Sequence, residues 1–336
     1  MGWAIAGAED HVLRTDDGGE TWHDVTPPES APIAEEPGKI ASGFFLDANR
    51  AWITFSHPDL SVPAVPTVWR TGDGGQSWEP SLSLHLASLL AEFYDPAFMQ
   101  FIDPENGWLL VNIGAGMSHV FMALFKTADG GITWDRLIDP ATDDLQLCTK
   151  TGMDFVDAEF GWVTRDCQGV VEGVQIDWTS DGGLTWQAQS LPSPTSAKDL
   201  FDSPTLCGAH SPTLISRESG AVVVRCIVGF APDLRTASFL YTTLDGGETW
   251  TSNPFPGDSL AFIDADLGWG LGRDVYMTED GGQTWVHVKA VSWDGQFSFI
   301  DDQLGWAVAR LGDETALVKT VDGGLTWAQL TPRVVP

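Results

Sequence analysis

The chain has 336 residues and a formal net charge of −30, from 47 Asp and Glu against 17 Lys and Arg. So acidic a surface repels polyanions and anionic bilayers, which argues against nucleic acid and lipid surfaces as partners. No segment approaches the apolar run that a membrane-spanning helix needs, and 36 Gly with 16 Trp agree with short strands joined by tight turns.

In chain order the first legible element is the octapeptide TDDGGETW at 15–22. It returns at 71–78 (TGDGGQSW), 127–134 (TADGGITW), 179–186 (TSDGGLTW), 243–250 (TLDGGETW), 278–285 (TEDGGQTW) and 320–327 (TVDGGLTW). Seven copies, 35 to 64 residues apart, set the architecture, because each repeat is one supersecondary unit. Paired glycines reach positive φ cheaply, and the Asp carboxylate accepts nearby backbone amides. This assigns Asp17, Asp73, Asp129, Asp181, Asp245, Asp280 and Asp322 to turn closure. The closing Trp22, Trp78, Trp134, Trp186, Trp250, Trp285 and Trp327 are apolar anchors where the next strand begins. A lone Asp-Gly-Gly would fit a Ca²⁺ loop equally well. Seven with the same Thr and Trp flanks read as a structural rivet, so no metal and no cofactor is assigned.

A second phrase precedes most copies: FLDANRAW at 45–52, FIDPENGW at 101–108, FVDAEFGW at 155–162, FIDADLGW at 262–269 and FIDDQLGW at 299–306, with SRESG at 216–220 as a degenerate form. Each reads as strand, acidic turn, strand. A full unit then has four strands, the third ending at the octapeptide and the fourth starting from its Trp. Antiparallel order puts the first–second turns and the octapeptides on one face of the molecule. The remaining connections, long at 26–39, 55–67, 79–96, 187–210 and 227–237, emerge on the opposite face. Variable loops on a fixed scaffold are where binding usually lives. Within that face, the Leu spacing of 83–94 predicts a short inserted helix.

The chain opens on Met1-Gly2-Trp3, which corresponds to a second strand, so the first unit lacks its own inner strand in sequence and no leader peptide is legible. Two resolutions stay open: the tail 328–336 supplies a short substitute, or the chain is trimmed from a longer protein.

The octapeptide is the Asp-box, or BNR repeat. The whole chain therefore resembles the Asp-box β-propellers: sialidases, some endoglucanases and xyloglucanases, sortilin-type receptors, and photosystem II stability/assembly factors. The resemblance implies one all-β domain over 1–336, a seven-bladed propeller of four-stranded antiparallel blades, with the boxes structural and remote from the ligand face.

The four cysteines fall in two pairs with equal spacing, 148 with 167 and 207 with 226. Antiparallel neighbours joined by a turn would bring each pair within bridging distance, which predicts Cys148–Cys167 and Cys207–Cys226 and an oxidising compartment, extracellular or periplasmic.

Candidate chemistry is thin. The three tyrosines and the absence of an Arg-Ile-Pro signature fit a sialidase poorly. The first–second turn acids (Asp103, Asp157, Asp264, Asp301) recur with the repeat and read as turn formers. The seven histidines show no metal-ligand spacing, although His57 and His119 fall in variable-face loops, and Tyr94 lies in the predicted helix. Arginine is more telling. Arg225, Arg273 and Arg310 each stand five residues after the Gly that opens a second strand, and Arg165 stands four after. Four consecutive units thus carry a guanidinium near the variable face, suited to a carboxylate, a phosphate or an acidic segment. The alternative is local pairing, Arg165 with Asp166 or Arg273 with Asp274.

The repeat phrase is most similar to the photosystem II assembly-factor type, whose members are non-enzymatic, bind a partner protein and carry an arginine-rich patch. Such a resemblance speaks for fold more than pathway. The preferred expectation is a monomeric secreted or periplasmic scaffold that binds a protein or glycan, with Arg165, Arg225, Arg273, Arg310, Tyr94, His57 and His119 as contact candidates. The alternative is a glycoside hydrolase, which needs two carboxylates at a set separation.

Overall fold

In a computed structural model of the chain each octapeptide folds as one closed turn. The Thr15 hydroxyl donates to Asp17 Oδ1 at 2.8 Å and accepts the Gly19 amide at 3.1 Å, and Asp17 Oδ1 also accepts the Thr21 amide at 2.9 Å. The same Thr-to-Asp bond closes the other six turns at 2.7 to 2.9 Å. Both glycines of every copy sit at positive φ, +80° and +101° at Gly18 and Gly19, where a side chain would be strained. The carboxylates are consumed by this work. Hydrogen bonds from the Ser77 hydroxyl and amide hold Asp73 down at about 2, and Thr249 does the same for Asp245.

The structure describes residues 1–6, 11–28, 40–56, 66–86, 91–116, 120–139, 148–166, 173–198, 200, 206–228 and 234–335. Seven sheets follow one another along the chain as the blades of a seven-bladed β-propeller. The third blade is representative. Its strands Asp95–Phe101, Gly107–Ala115, Val120–Thr127 and Asp135–Ile138 pair antiparallel in chain order. Second strands such as Ala51–Phe55 are buried throughout, whereas fourth strands such as Gln187–Ser190 are largely exposed. In the fifth blade the first strand is split, and Leu206–Ala209 and Thr213–Leu214 both pair with Gly220–Val228.

The core lies between blades, and the second repeated phrase builds it. Trp52 of the second blade stacks on Phe101 of the third at 3.6 Å between centroids and donates its indole N–H to Gly130 O at 2.8 Å. Trp108 repeats this with Phe155 (3.8 Å) and Gly182 (3.0 Å), and Trp269 with Phe299 (4.2 Å) and Gly323 (3.4 Å). Each Trp therefore ties its blade to the Phe and the octapeptide of the blade that follows. Within each blade from the second onward, the first glycine of the octapeptide donates to the first–second turn, as Gly130 does to Glu105 O at 2.9 Å. That bond fixes both turns on one face.

Two expectations change. Among the described residues none is helical. Residues 83–86 and 91–94 form no helix, with 87–90 outside the described residues. Amides of this stretch go to distant carbonyls, Leu84 to Pro66 O and Glu92 to Ile113 O, and Leu86 turns back to Leu84 O. Leu84, Leu86 and Tyr94 join the core with Trp52 and Phe101. The tail does not supply an inner strand either. Arg333–Val335 pairs parallel with Thr21–Asp24, the exposed edge of the first blade, while Gly2–Ala6 forms the opposite edge of that sheet. The bridge Cys207–Cys226 is present, between residues directly opposite one another with Cα atoms 4.1 Å apart. Cys148 is disulfide-bonded as well, and Cys167 lies outside the described residues.

Candidate functional site

The second strands leave the core toward the variable face, and their exits carry the arginines. Arg225 on Gly220–Val228 is 44% exposed and lies 3.6 Å from Asp258, which precedes the first strand of the sixth blade. Arg273, which follows Gly268–Leu271, is 65% exposed and binds Asp294 through two bonds, Nε to Oδ1 at 2.6 Å and Nη2 to Oδ2 at 2.7 Å. Asp294 opens the first strand of the seventh blade, and Arg310, also exposed, stands opposite it in the register. Arg225, Asp258, Arg273, Asp294 and Arg310 therefore alternate in charge across three blades. The pairs run from one blade to the next, so Arg273 takes Asp294 and not its neighbour Asp274, which instead meets His287 at 2.9 Å. His210, close to Arg225, is pushed below the usual imidazole range by burial and by that guanidinium.

Arg165 belongs elsewhere. Its side chain is 10% exposed, and its Nη2 lies 3.0 Å from Asp177 Oδ1, a carboxylate with no exposure at all. Asp166 is not its partner in this pair. Buried Lys150 stands opposite Arg165 in the register. Burial pushes the Asp177 carboxyl up despite both cations. These groups form an internal charged cluster of the fourth blade, and Arg165 is not part of the exposed row.

Tyr94 is also withdrawn from the surface. It is fully buried, its hydroxyl 2.9 Å from Thr54 Oγ1, and burial drives its ionisation far above neutral pH. His57 and His119 lie outside the described residues. Asp154, raised to about 6 by burial, accepts hydrogen bonds from Gln100 of the preceding blade and the Leu214 amide of the following one. Its oxygens are spent as an inter-blade strap, so neither raised carboxylate is presented for acid–base chemistry on a substrate.

On the octapeptide face a cleft of about 430 Å³ opens between the second and third blades, lined among others by Arg50, Arg70, Glu79, Asp73 and Asp129. Arg70 is already paired with Glu79 at 2.5 Å and Arg50 with Asp47 at 2.8 Å. Sequence reasoning passed over a signal here. The residue before the octapeptide Thr is cationic in the seventh, first, second and third blades: Lys319, Arg14, Arg70 and Lys126. Lys126 Nζ lies 5.2 Å from the Trp108 ring and donates to Ala158 O at 2.8 Å in the next blade, and Arg14 packs likewise over Trp3 and donates to Ala48 O. The carboxylates Asp258 and Asp294 were also missed, since nothing local marks them among 47 acids.

No protein-family model matches the chain, and no curated protein matches it. Among solved structures it is similar to the polysaccharide lyase Uly1, with TM-score 0.58 and 11% identity over 95% of this chain and 86% of that one. It is similar to an α-L-arabinofuranosidase of Fusarium graminearum, with TM-score 0.52 and 10% identity over 88% and 94%. It is also similar to YCF48 bound to D1 peptide, with TM-score 0.49 and 17% identity over 94% and 87%. At such identities the likeness to the lyase and the arabinofuranosidase is one of fold alone.

Proposed function

We propose that this propeller is a non-enzymatic binding scaffold, exported to an extracellular or periplasmic compartment. In this reading it acts as a monomer that captures an acidic protein segment or an anionic glycan on the face opposite the octapeptides. The row Arg225, Arg273 and Arg310 carries the reading. Three exposed guanidiniums project from consecutive blades of a chain with net charge −30. Each guanidinium has five donors, and the observed Asp pairs use at most two of them. A partner carboxylate can therefore bind bidentately beside Asp258 or Asp294 without displacing it. The disulfide Cys207–Cys226 supports the oxidising compartment.

The test is charge reversal in the row. Arg225→Glu with Arg273→Glu should abolish retention of acidic peptides or polyuronates, and added salt should weaken the wild type. Both pairs are exposed, so stability should change little. Unchanged retention by the double variant would remove the row from the site, and turnover on a panel of glycosides and polysaccharides would replace the scaffold by a hydrolase.

A further inference from the structure

The cation that precedes the octapeptide Thr has a fixed place at three blade junctions. Lys126 stands opposite Trp108 in the register, its Nζ 5.2 Å from the ring, and donates to Ala158 O in the first–second turn of the next blade. Arg14 stands opposite Trp3, lies over its ring, and donates from Nε to Ala48 O at 3.1 Å. Lys319 stands opposite Trp306, its Nζ 5.2 Å from that ring. Ala48 and Ala158 hold the same position in the second repeated phrase, so the repeat itself defines a cation place: one Trp face and one turn carbonyl.

Between the second and third blades the chain's own cation is drawn out of that place. Arg70 stands opposite Trp52 in the register, yet its Nη2 goes to Glu79, on the fourth strand of its own blade, at 2.5 Å. Its buried Nε has no hydrogen-bond partner, and Pro104 O, the counterpart of Ala48 O and Ala158 O, receives no side-chain donor among the described residues. A Cβ added at Gly74 would fall 2.9 Å from the Arg14 guanidinium, but one at Gly130, the equivalent glycine here, would fall 3.9 Å from that of Arg70. The octapeptide widens the same spot. Its second position carries a side chain in six copies, such as Leu244 and Val321, and is glycine only at Gly72, where an added Cβ would meet nothing within 4 Å. The cleft of about 430 Å³ is the result, lined by Trp52, Pro104, Arg70 and Gly72.

We propose that this cleft is a second binding site, on the octapeptide face, for a small free organic amine whose primary ammonium takes the place that Lys126 Nζ fills at the next junction. The ammonium rests against Trp52, which stacks its ring on Phe101, and donates to Pro104 O. Charge selects a cation over an anion. Arg70 and Arg50 are each neutralised by a carboxylate, Glu79 and Asp47. Asp73 and Asp129, which also line the cleft, accept hydrogen bonds but meet no cation among the described residues. They give a second ammonium on the same ligand its counter-charge, and the net charge of −30 adds to the bias. The Arg70–Glu79 pair keeps the place clear, because Arg70 freed from Glu79 reaches Pro104 O as Arg14 reaches Ala48 O. Both flanking blades have all four of their strands, so the cleft depends on neither end of the chain. It lies on the face opposite the arginine row, and neither reading rests on the other.

The test titrates cadaverine, a linear diamine, into the full chain by calorimetry at low ionic strength, beside glutarate, pentanediol and an end-capped lysine. Saturable one-to-one binding of cadaverine is expected, with glutarate and pentanediol weaker by about tenfold or more, the scale of one cation–π contact. Gly72→Leu introduces the residue that the fifth copy carries at Leu244 and leaves the net charge unchanged. It should fill the cleft and weaken cadaverine by about tenfold or more, with an unchanged melt showing that the fold is kept. Glu79→Gln should also weaken it, by freeing Arg70, whereas Arg70→Met should leave it equal or tighter. No saturable binding, or equal binding by Gly72→Leu, overturns the site and leaves only diffuse attraction to an acidic surface. Glutarate binding that exceeds cadaverine and is lost in Arg70→Met overturns the ammonium in favour of an anion. An end-capped lysine that binds more tightly than cadaverine overturns the free amine and puts the lysine side chain of a protein there.

Discussion

The indole of Trp108 lies 6° from coplanar with the ring of Phe155, in the next blade, at 3.8 Å between centroids. Its other partners are the Gly182 carbonyl and the Lys126 ammonium, so one side chain joins two blades through stacking, a hydrogen bond and a cation. Trp108→Ala removes all three and leaves a cavity at a site with no exposure. The expected loss is about 3–5 kcal/mol by urea unfolding. Trp306→Ala, at a half-buried indole on which no Phe stacks among the described residues, should cost clearly less. Equal losses would show that stacking contributes little.

The octapeptide hydroxyl is a second point of failure. Thr127 is buried; it donates to Asp129 Oδ1 at 2.8 Å and accepts the Gly131 amide at 2.9 Å. Thr127→Val keeps the volume and deletes both bonds, leaving a buried amide without an acceptor. The expected cost is about 1–3 kcal/mol, while Thr127→Ser should retain most of the stability. Thermal melts of the two variants settle it.

Stability should depend on pH with two opposite signs. Asp73 and Asp245 are held at about 2 by hydrogen bonds, below the unfolded carboxylate value. Their contribution is complete above about pH 4 and lost as pH falls toward 2. Asp154 is raised to about 6 by burial. The folded state therefore holds the extra proton between about pH 4 and 6, and stability declines as pH rises through that window and is flat above it. Denaturant titrations at about pH 4.5, 5.5 and 6.5 should show the decline, and Asp154→Asn should reduce it, leaving the part that Asp177, likewise raised by burial, contributes. A wild-type profile that rises across this window would contradict the burial argument.

Cys207 and Cys226 are separated by 19 residues. Replacing both with Ser should cost about 3 kcal/mol by loop-closure entropy, read as a lower melting temperature, and reduction of the wild type, which also opens the bridge at Cys148, should lower it further. An unchanged melt would mean that the strands alone hold this junction.

Much of the architecture was written in the residues themselves. Thr15, Asp17, Gly18 and Gly19 interact within five positions, so a local pattern specifies a local turn, and seven copies fix seven blades. The Phe and Trp of the second phrase also recur at fixed spacing, which made the strands legible. Partnership across blades was not. Arg273, in the bend between two strands, found Asp294 at the start of the next blade and not its chain neighbour Asp274, which pairs with His287. Arg165 sits one position out of register with its counterparts, and tertiary packing buries it beside Asp177. Residues 83–94 carry a helix-like apolar spacing, but among the described residues the amides of Leu84, Glu92 and Phe93 meet carbonyls of Pro66 and Ile113, and long-range hydrogen bonding overrode local propensity. The tail likewise had an open inner edge and an open outer edge within the first blade. Only the folded geometry shows that it takes the outer one, leaving Trp306 without a ring partner among the described residues.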